Sequence, residues 1–161
     1  MLSELEQKAV WEHWLGAEIR ANYFADLSYR YQRHQRALTW FTLATSSGAF
    51  VTLVTDVLPP SVAAWLRPVL TLVPAALSLW MLVAQNYQQA TACSDLHFRW
   101  HTLADDFERL WGHMHDDAAD RTLQRLTRRV AEASRSGVPL PNNPKLMEKW
   151  QDHVERHHAA A

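Results

Sequence analysis

Histidine is the residue type in this chain whose placement could support chemistry. His97 and His101 lie four residues apart, a spacing that puts both imidazoles on one helix face and can hold a metal ion. His34 is expected at a similar depth on a facing helix, so one interpretation is a three-histidine metal or haem site. No His-Glu-x-x-His motif accompanies the pair, and the other interpretation is that these histidines bond to lipid headgroups or nearby carboxylates. We predict no resident metal and no other cofactor.

The second histidine cluster is the run His113-Met114-His115-Asp116-Asp117. Histidine is favoured near the end of a helix and aspartate near the start of the next, so the run predicts a helix boundary. Sensing of pH or of a metal is the alternative, since histidine changes its charge near neutral pH. The chain has only four glycines and no phosphate-binding glycine loop. Nothing orders Ser, His and Asp into a nucleophilic site, and we predict that the protein is not an enzyme.

Two charge-free stretches position these histidines and determine the expected class of protein. No charged residue occurs in 37–55 or in 68–94 of the 161 residues, and a spanning helix needs roughly 20 mostly apolar residues. We predict an all-α protein with a transmembrane hairpin: a first span at 37–57, a short external turn at 58–61 and a second span at 62–84. A soluble helical bundle with a buried central hairpin is the alternative.

The arginines that flank the predicted spans indicate their orientation. Arg20, Arg30, Arg33 and Arg36 precede the first span, Arg99 and Arg109 follow the second, and the connecting segment offers only Arg67. Cytoplasmic flanks are enriched in Lys and Arg, so both termini are expected in the cytoplasm. The acidic start of the chain is unlike a secretory signal. Flanking arginines are usually topology signals, and Arg30, Arg33 and Arg36 are also our candidates for contact with anionic headgroups, a nucleotide signal or RNA.

The cytoplasmic part is expected to be a helical bundle. Residues 1–36 should form an amphipathic helix that starts at a Ser3…Glu6 capping box and continues into the first span. Residues 85–117 should continue the second span and pack antiparallel to the N-terminal helix. Two short helices should follow in 118–161, the first ending near Gly137 and the second capped by Asn143, with a tail that frays from His157. The predicted cytoplasmic interface comprises Trp100, Leu103, Phe107, Leu110 and Trp111.

Polar residues of the first span share one helix face. Thr45, Gly48, Thr52 and Thr55 step by three, four and three residues. We expect this face to contact other protomers or to line a water-filled path through an oligomer. The alternative is ordinary packing within the hairpin, because small and hydroxyl-bearing residues are the usual contacts between membrane helices.

The layout resembles that of a known family. A basic-aromatic helix with Tyr23-Phe24 and Tyr29-Arg30-Tyr31 leads into the first span, and a Pro-containing turn leads to the second. A long helix then leaves through Gln85-Asn86-Tyr87 and Leu96-His97-Phe98-Arg99-Trp100-His101. Over roughly residues 17–136 the chain is similar to the SLATT family, the SMODS- and SLOG-associating two-transmembrane effectors of bacterial anti-phage systems.

The resemblance implies an abortive-infection effector that stays silent until a partner signals infection. It would then oligomerise and disrupt or depolarise the bacterial inner membrane. The sequence leaves no room for a sensor domain, so activation is expected in trans, from a nucleotide-signalling enzyme or from a reverse transcriptase with its RNA, as in retrons. The expected partners are copies of the chain, the bilayer and this activator. The net charge of −1 gives no general attraction to nucleic acid, and we predict no direct sequence-specific binding to it. The rival functions are a non-toxic membrane scaffold and a haem- or metal-binding membrane protein.

Overall fold

The structure is a computed structural model that describes residues 2–47, 52, 56–57, 59–84, 86–140 and 142–159. Within those ranges it contains five long helices and no strand: α1 (Glu4–Ser46), α2 (Pro60–Ala84), α3 (Asn86–Gly112), α4 (Ala119–Gly137) and α5 (Pro144–Ala159). The predicted all-α class is confirmed for this part of the chain.

The helices belong to two compact units. The terminal unit comprises Met1–Ser28 and Thr91–Ala161, and the central unit comprises Tyr29–Ala90. Helices α1 and α3 each contribute residues to both units, whereas α2 belongs to the central unit and α4 and α5 belong to the terminal unit.

The start of α1 is fixed by the predicted capping box. The backbone N–H of Ser3 donates to Oε2 of Glu6 at 2.7 Å, and the Glu6 N–H faces the Ser3 Oγ at 3.4 Å. These reciprocal bonds satisfy donors that the first helical turn leaves without partners. Hydrogen bonds from the Ser3 backbone and hydroxyl also lower the pKa of the Glu6 carboxyl. The predicted capping box is therefore confirmed.

Within the terminal unit, α1 and α3 pack antiparallel, as predicted. The His13 ring stacks on Phe107 with centroids 5.5 Å apart, and the His97 Nδ1 lies 2.9 Å from the carbonyl oxygen of Ala21. Residue numbers therefore rise along one helix as they fall along the other. The apolar stripes of the two helices form the centre of a core that α4 and α5 complete. Its buried members include Val10, Ala17, Phe24, Leu96, Trp100, Leu103, Phe107, Leu110, Leu123, Leu126, Leu146 and Val154.

The last two helices begin and end close to the predicted residues. The amide N–H of Leu146 donates to the Asn143 Oδ1 at 3.2 Å, and Pro144 is the first residue of α5, where the missing N–H of proline costs nothing. Helix α4 ends at Gly137, yet the following Val138 keeps a right-handed helical φ of −56°. The helix therefore stops because Pro139 disfavours its continuation, and not through a left-handed glycine.

The central unit contains the rest of α1 and all of α2. Helix α1 ends at Ser46, before the predicted end of the first span at residue 57. The Thr45 Oγ1 bonds to the carbonyl of Phe41 and the Ser46 Oγ to that of Leu43, contacts that compete with the backbone and weaken a helix end. Helix α2 covers the predicted second span and continues through Pro68 and Pro74. Among the described residues, no helix combines the length and the apolar character that a membrane crossing requires.

Candidate functional site

The predicted cytoplasmic interface forms the centre of the terminal unit. Trp100, Leu103, Phe107 and Leu110 are all buried, and Trp100 is only 1% exposed. Trp111 differs, since it is 36% exposed. Four of the five residues thus already pack against the chain's own helices, and a partner could reach them only by displacing α1, α4 or α5.

An aromatic cluster around His158 joins α5 to α1. The His158 ring packs edge-on against Trp11 and Trp14, with centroids 5.3 and 5.2 Å apart. The ring centroid of Trp111 lies 5.3 Å from that of Trp11. The His158 Nε2 is 2.8 Å from the Glu18 Oε2, and the side chains of these two residues are 15% and 30% exposed. We call these five residues the His158 cluster. The predicted fraying of the tail is wrong for His157, His158 and Ala159, because these contacts hold α5 helical to Ala159. Ala160 and Ala161 lie outside the described residues.

A second feature of the terminal unit is a cleft of about 320 Å³, which we call the Arg20 pocket. Its wall is mostly aromatic and aliphatic, and the residues used below are Arg20, Tyr23, Phe24, Trp100, Val138 and Met147. All belong to the terminal unit.

Arg20 brings a positive charge to the pocket. The Arg20 guanidinium carbon lies 4.9 Å from the Trp100 ring centroid, and its Nη1 donates to the carbonyl of Gly16 at 2.9 Å. No carboxylate pairs with it in the described part of the chain. Arg20 is an exposed residue, and the protein around it partly desolvates the guanidinium and lowers the pKa of Arg20. The Nε1–H of Trp100 has no acceptor among the described residues and is shielded from solvent, so Trp100 presents its ring to the pocket and not this donor.

The histidines that could bind metal have other contacts. The rings of His97 and His101 stack with centroids 5.9 Å apart, and the Nδ1 of His101 is 4.0 Å from a carboxylate oxygen of Asp105. His34 is an exposed residue of the central unit. In the ranges that the structure describes, no three His, Cys, Asp or Glu side chains converge as a metal site would need.

The cluster at residues 113–117 lies between α3 and α4, so the predicted helix boundary is confirmed. The Nδ1 of His113 is 2.9 Å from the carbonyl oxygen of Arg109, at the C-terminal end of α3, where a histidine interacts favourably with the helix dipole.

The predicted polar face is described only in part. Thr45 is 5% exposed, and its hydroxyl bonds to the carbonyls of Phe41 and Thr42 at 2.8 and 3.2 Å. Thr52 is exposed and helical. Gly48 and Thr55 lie outside the described residues, so the four-residue face remains a prediction.

Large apolar side chains cover the exposed surface of the central unit. Trp40 is 71% exposed and Leu72 is 67% exposed. Five more large apolar side chains of this unit are also exposed, namely Phe41, Leu43, Trp65, Leu79 and Trp80. The basic residues Arg30, Arg33 and Arg36 are also exposed, all on α1. A protein surrounded by water seldom exposes so many large apolar residues in one unit.

Sequence reasoning missed both features of the terminal unit. Arg20 was treated only as a flanking charge, and His158 as part of a frayed tail. The only available signal was residue type, namely an arginine within an aromatic-rich helix and a histidine near the end of the last helix. Comparisons with known protein families, with curated proteins and with solved structures find no match to this chain.

Proposed function

We propose that this protein is a two-span membrane effector of bacterial anti-phage defence, with both termini cytoplasmic. The observation that carries the membrane part is the surface of the central unit, where Trp40, Leu72, Leu79 and Trp80 are each more than 60% exposed. Burying such side chains in hydrocarbon is favourable by about 25 cal/mol per Å² of apolar surface, so the bilayer is the environment that this surface fits. The anti-phage part rests on the resemblance of layout to the SLATT family.

Hydroxyl groups of the central unit are compatible with hydrocarbon. Thr39 and Thr42 on α1 and Ser78 on α2 each donate to the carbonyl four residues earlier, at 2.7–2.9 Å. A hydroxyl that bonds to its own helix needs no water, and such bonds make serine and threonine tolerable within a span. The proposal thus accommodates the polar residues of the two runs, although no described helix by itself meets the requirement for a span.

The exposed arginines of α1 support the proposed orientation. Arg30, Arg33 and Arg36 lie in the central unit just before the apolar surface begins, and such positions are typical of the cytoplasmic interface. There they would contact anionic headgroups at about 1 kcal/mol each.

Fractionation of cells that express the full chain tests the membrane part. We expect the protein in the membrane fraction and resistant to alkaline extraction. Leu72→Arg should reduce this retention, since arginine at a span centre costs about 2.5–3.5 kcal/mol on the insertion scale. Leu5→Arg is the matched control, because Leu5 is 81% exposed but belongs to the terminal unit. A wild-type chain found in the soluble fraction would overturn the proposal.

Recording the membrane potential tests the effector part. We expect depolarisation when the chain is expressed with its activator, and loss of toxicity in Gly48→Leu or Thr52→Leu, which place bulk on the predicted oligomer face. Membrane-bound protein that leaves the potential intact in the presence of the activator would instead indicate a scaffold. Full toxicity of both leucine variants would contradict a role for the polar face.

A further inference from the structure

We propose that the Arg20 pocket binds a small organic anion, a compact apolar or aromatic body that carries one carboxylate or phosphate group. This inference goes beyond the proposed membrane function and does not depend on it, because every residue involved belongs to the terminal unit.

The charges around the pocket indicate the charge of the ligand. A guanidinium has five N–H donors, and the protein bond of Arg20 is the one to the Gly16 carbonyl. No aspartate or glutamate lines the pocket among the described residues. Arg20 therefore contributes a positive charge that no described carboxylate balances, and a ligand with anionic oxygen acceptors complements this site.

Desolvation favours a ligand with full negative charge. A guanidinium held against an aromatic face and partly removed from water is attracted more strongly to an opposite charge than it would be in bulk water. Carboxylate and phosphate oxygens match the planar donor fork of arginine. The Trp100 ring holds this fork by a cation–π contact, which orients it before a ligand arrives.

The rest of the wall indicates the body of the ligand. Phe24 and Met147 provide apolar surface, and the volume of about 320 Å³ is at the small end of the range for ligand sites. The Tyr23 hydroxyl already accepts a hydrogen bond from the Asn143 N–H at 3.0 Å, so Tyr23 supplies mainly its ring. A one-ring anion such as benzoate or phenyl phosphate fits this description.

NMR of the purified full-length protein with ¹⁵N-labelled tryptophan tests the proposal. The indole N–H resonance of Trp100 is assigned by its loss in Trp100→Phe. Benzoate and phenyl phosphate should each shift this resonance in a saturable way and leave that of Trp40, in the central unit, unmoved. We expect binding that is at least about tenfold weaker for benzyl alcohol, which has no negative charge, and for inorganic phosphate, which has no apolar ring.

Variants at the pocket rim separate binding from folding. Val138 lines the pocket and is 79% exposed, so Val138→Glu adds a repelling carboxylate without disturbing the core. It should weaken benzoate at least about tenfold, whereas Val138→Gln stays within about twofold. Arg20→Gln should weaken benzoate by about tenfold or more, from the usual strength of charged hydrogen bonds, and the exposed Arg121→Gln should not.

Three results would overturn the proposal. They are no shift of the Trp100 resonance at millimolar anion, unchanged affinity in both Arg20→Gln and Val138→Glu, or equal binding of benzyl alcohol and benzoate. Equal binding of inorganic and phenyl phosphate would overturn the assignment of an apolar body. None of these results bears on membrane retention, so failure here and failure of the proposed function are distinguishable.

Discussion

The His158 cluster is expected to stabilise the docking of α5, and the size of this effect can be worked out from its contacts. The His158 ring makes two edge-on contacts with Trp11 and Trp14, with centroids 5.2–5.3 Å apart, and such aromatic pairs contribute about 0.5–1.5 kcal/mol each. Its Nε2 also bonds to the Glu18 carboxylate at 2.8 Å. A hydrogen bond to a charged group contributes about 1.5–3 kcal/mol when shielded and less when its partners reach solvent.

His158→Ala should therefore lower the free energy of unfolding by about 2–3 kcal/mol, below the plain sum because both side chains remain partly exposed and such contributions do not add. Glu18→Gln should cost about 1 kcal/mol, since the amide oxygen can still accept. The double variant should lose less than the sum of the two single variants, by about 1 kcal/mol, because the same bond is counted in both.

Chemical denaturation followed by tryptophan fluorescence is the appropriate assay, because three tryptophans lie within the cluster. His115→Ala serves as the control, since His115 is an exposed residue of the turn before α4 and should change stability by less than about 0.5 kcal/mol. The reasoning would be refuted if His158→Ala cost no more than this control, or if the effects of the two single variants simply added.

Three further predictions concern the terminal unit. Phe107→Ala should cost about 3–5 kcal/mol in a denaturant titration, because Phe107 is fully buried, whereas Phe98→Ala, at a residue that is 63% exposed, should cost less than about 0.5 kcal/mol; equal losses would contradict the assigned core. Asn143→Ala should cost about 1 kcal/mol through loss of the N-cap of α5, measured by thermal unfolding against exposed Asn142→Ala as control. Burial raises the pKa of the Cys93 thiol from 9.0 to about 11. The free energy of unfolding should therefore fall as pH rises from 9 to 11, by up to about 1.4 kcal/mol per pH unit, because the thiol ionises first in the unfolded chain. An equal fall in a Cys93→Ala variant would contradict this.

Local signals in the sequence predicted the starts of α1 and α5 well. The reciprocal bonds of Ser3 and Glu6 and the cap at Asn143 join residues that are three positions apart. A short stretch of sequence therefore contains both partners of each bond. The burial of Trp100 and Phe107 was equally accessible, because apolar residues at steps of three and four mark the inner face of a helix.

Contacts between distant residues could not be predicted in the same way. Glu18 and His158 are 140 positions apart in the chain, and the ring of Trp100 meets Arg20 only because α1 and α3 run antiparallel with a particular axial offset. A stripe of apolar residues establishes that two helices pack, but a shift of one turn would pair other residues. The contact between Arg20 and Trp100 in the Arg20 pocket follows from this offset, and no local motif encodes it.

The chain average obscures the contrast on which the proposed function depends. The mean hydropathy of −0.28 is that of an ordinary water-soluble protein, yet the two units differ in where their large apolar residues lie. In the terminal unit, large residues such as Phe107 are buried; in the central unit, Trp40 and Leu72 are exposed. The free energy that drives apolar side chains inward is the same in both units, and the proposed function therefore places the exposed apolar surface of the central unit in a different surrounding. A bilayer or a second copy of the chain could provide it, and Leu72→Arg distinguishes the two: loss of membrane retention supports the bilayer, whereas loss of self-association with the chain still in the soluble fraction supports the second copy.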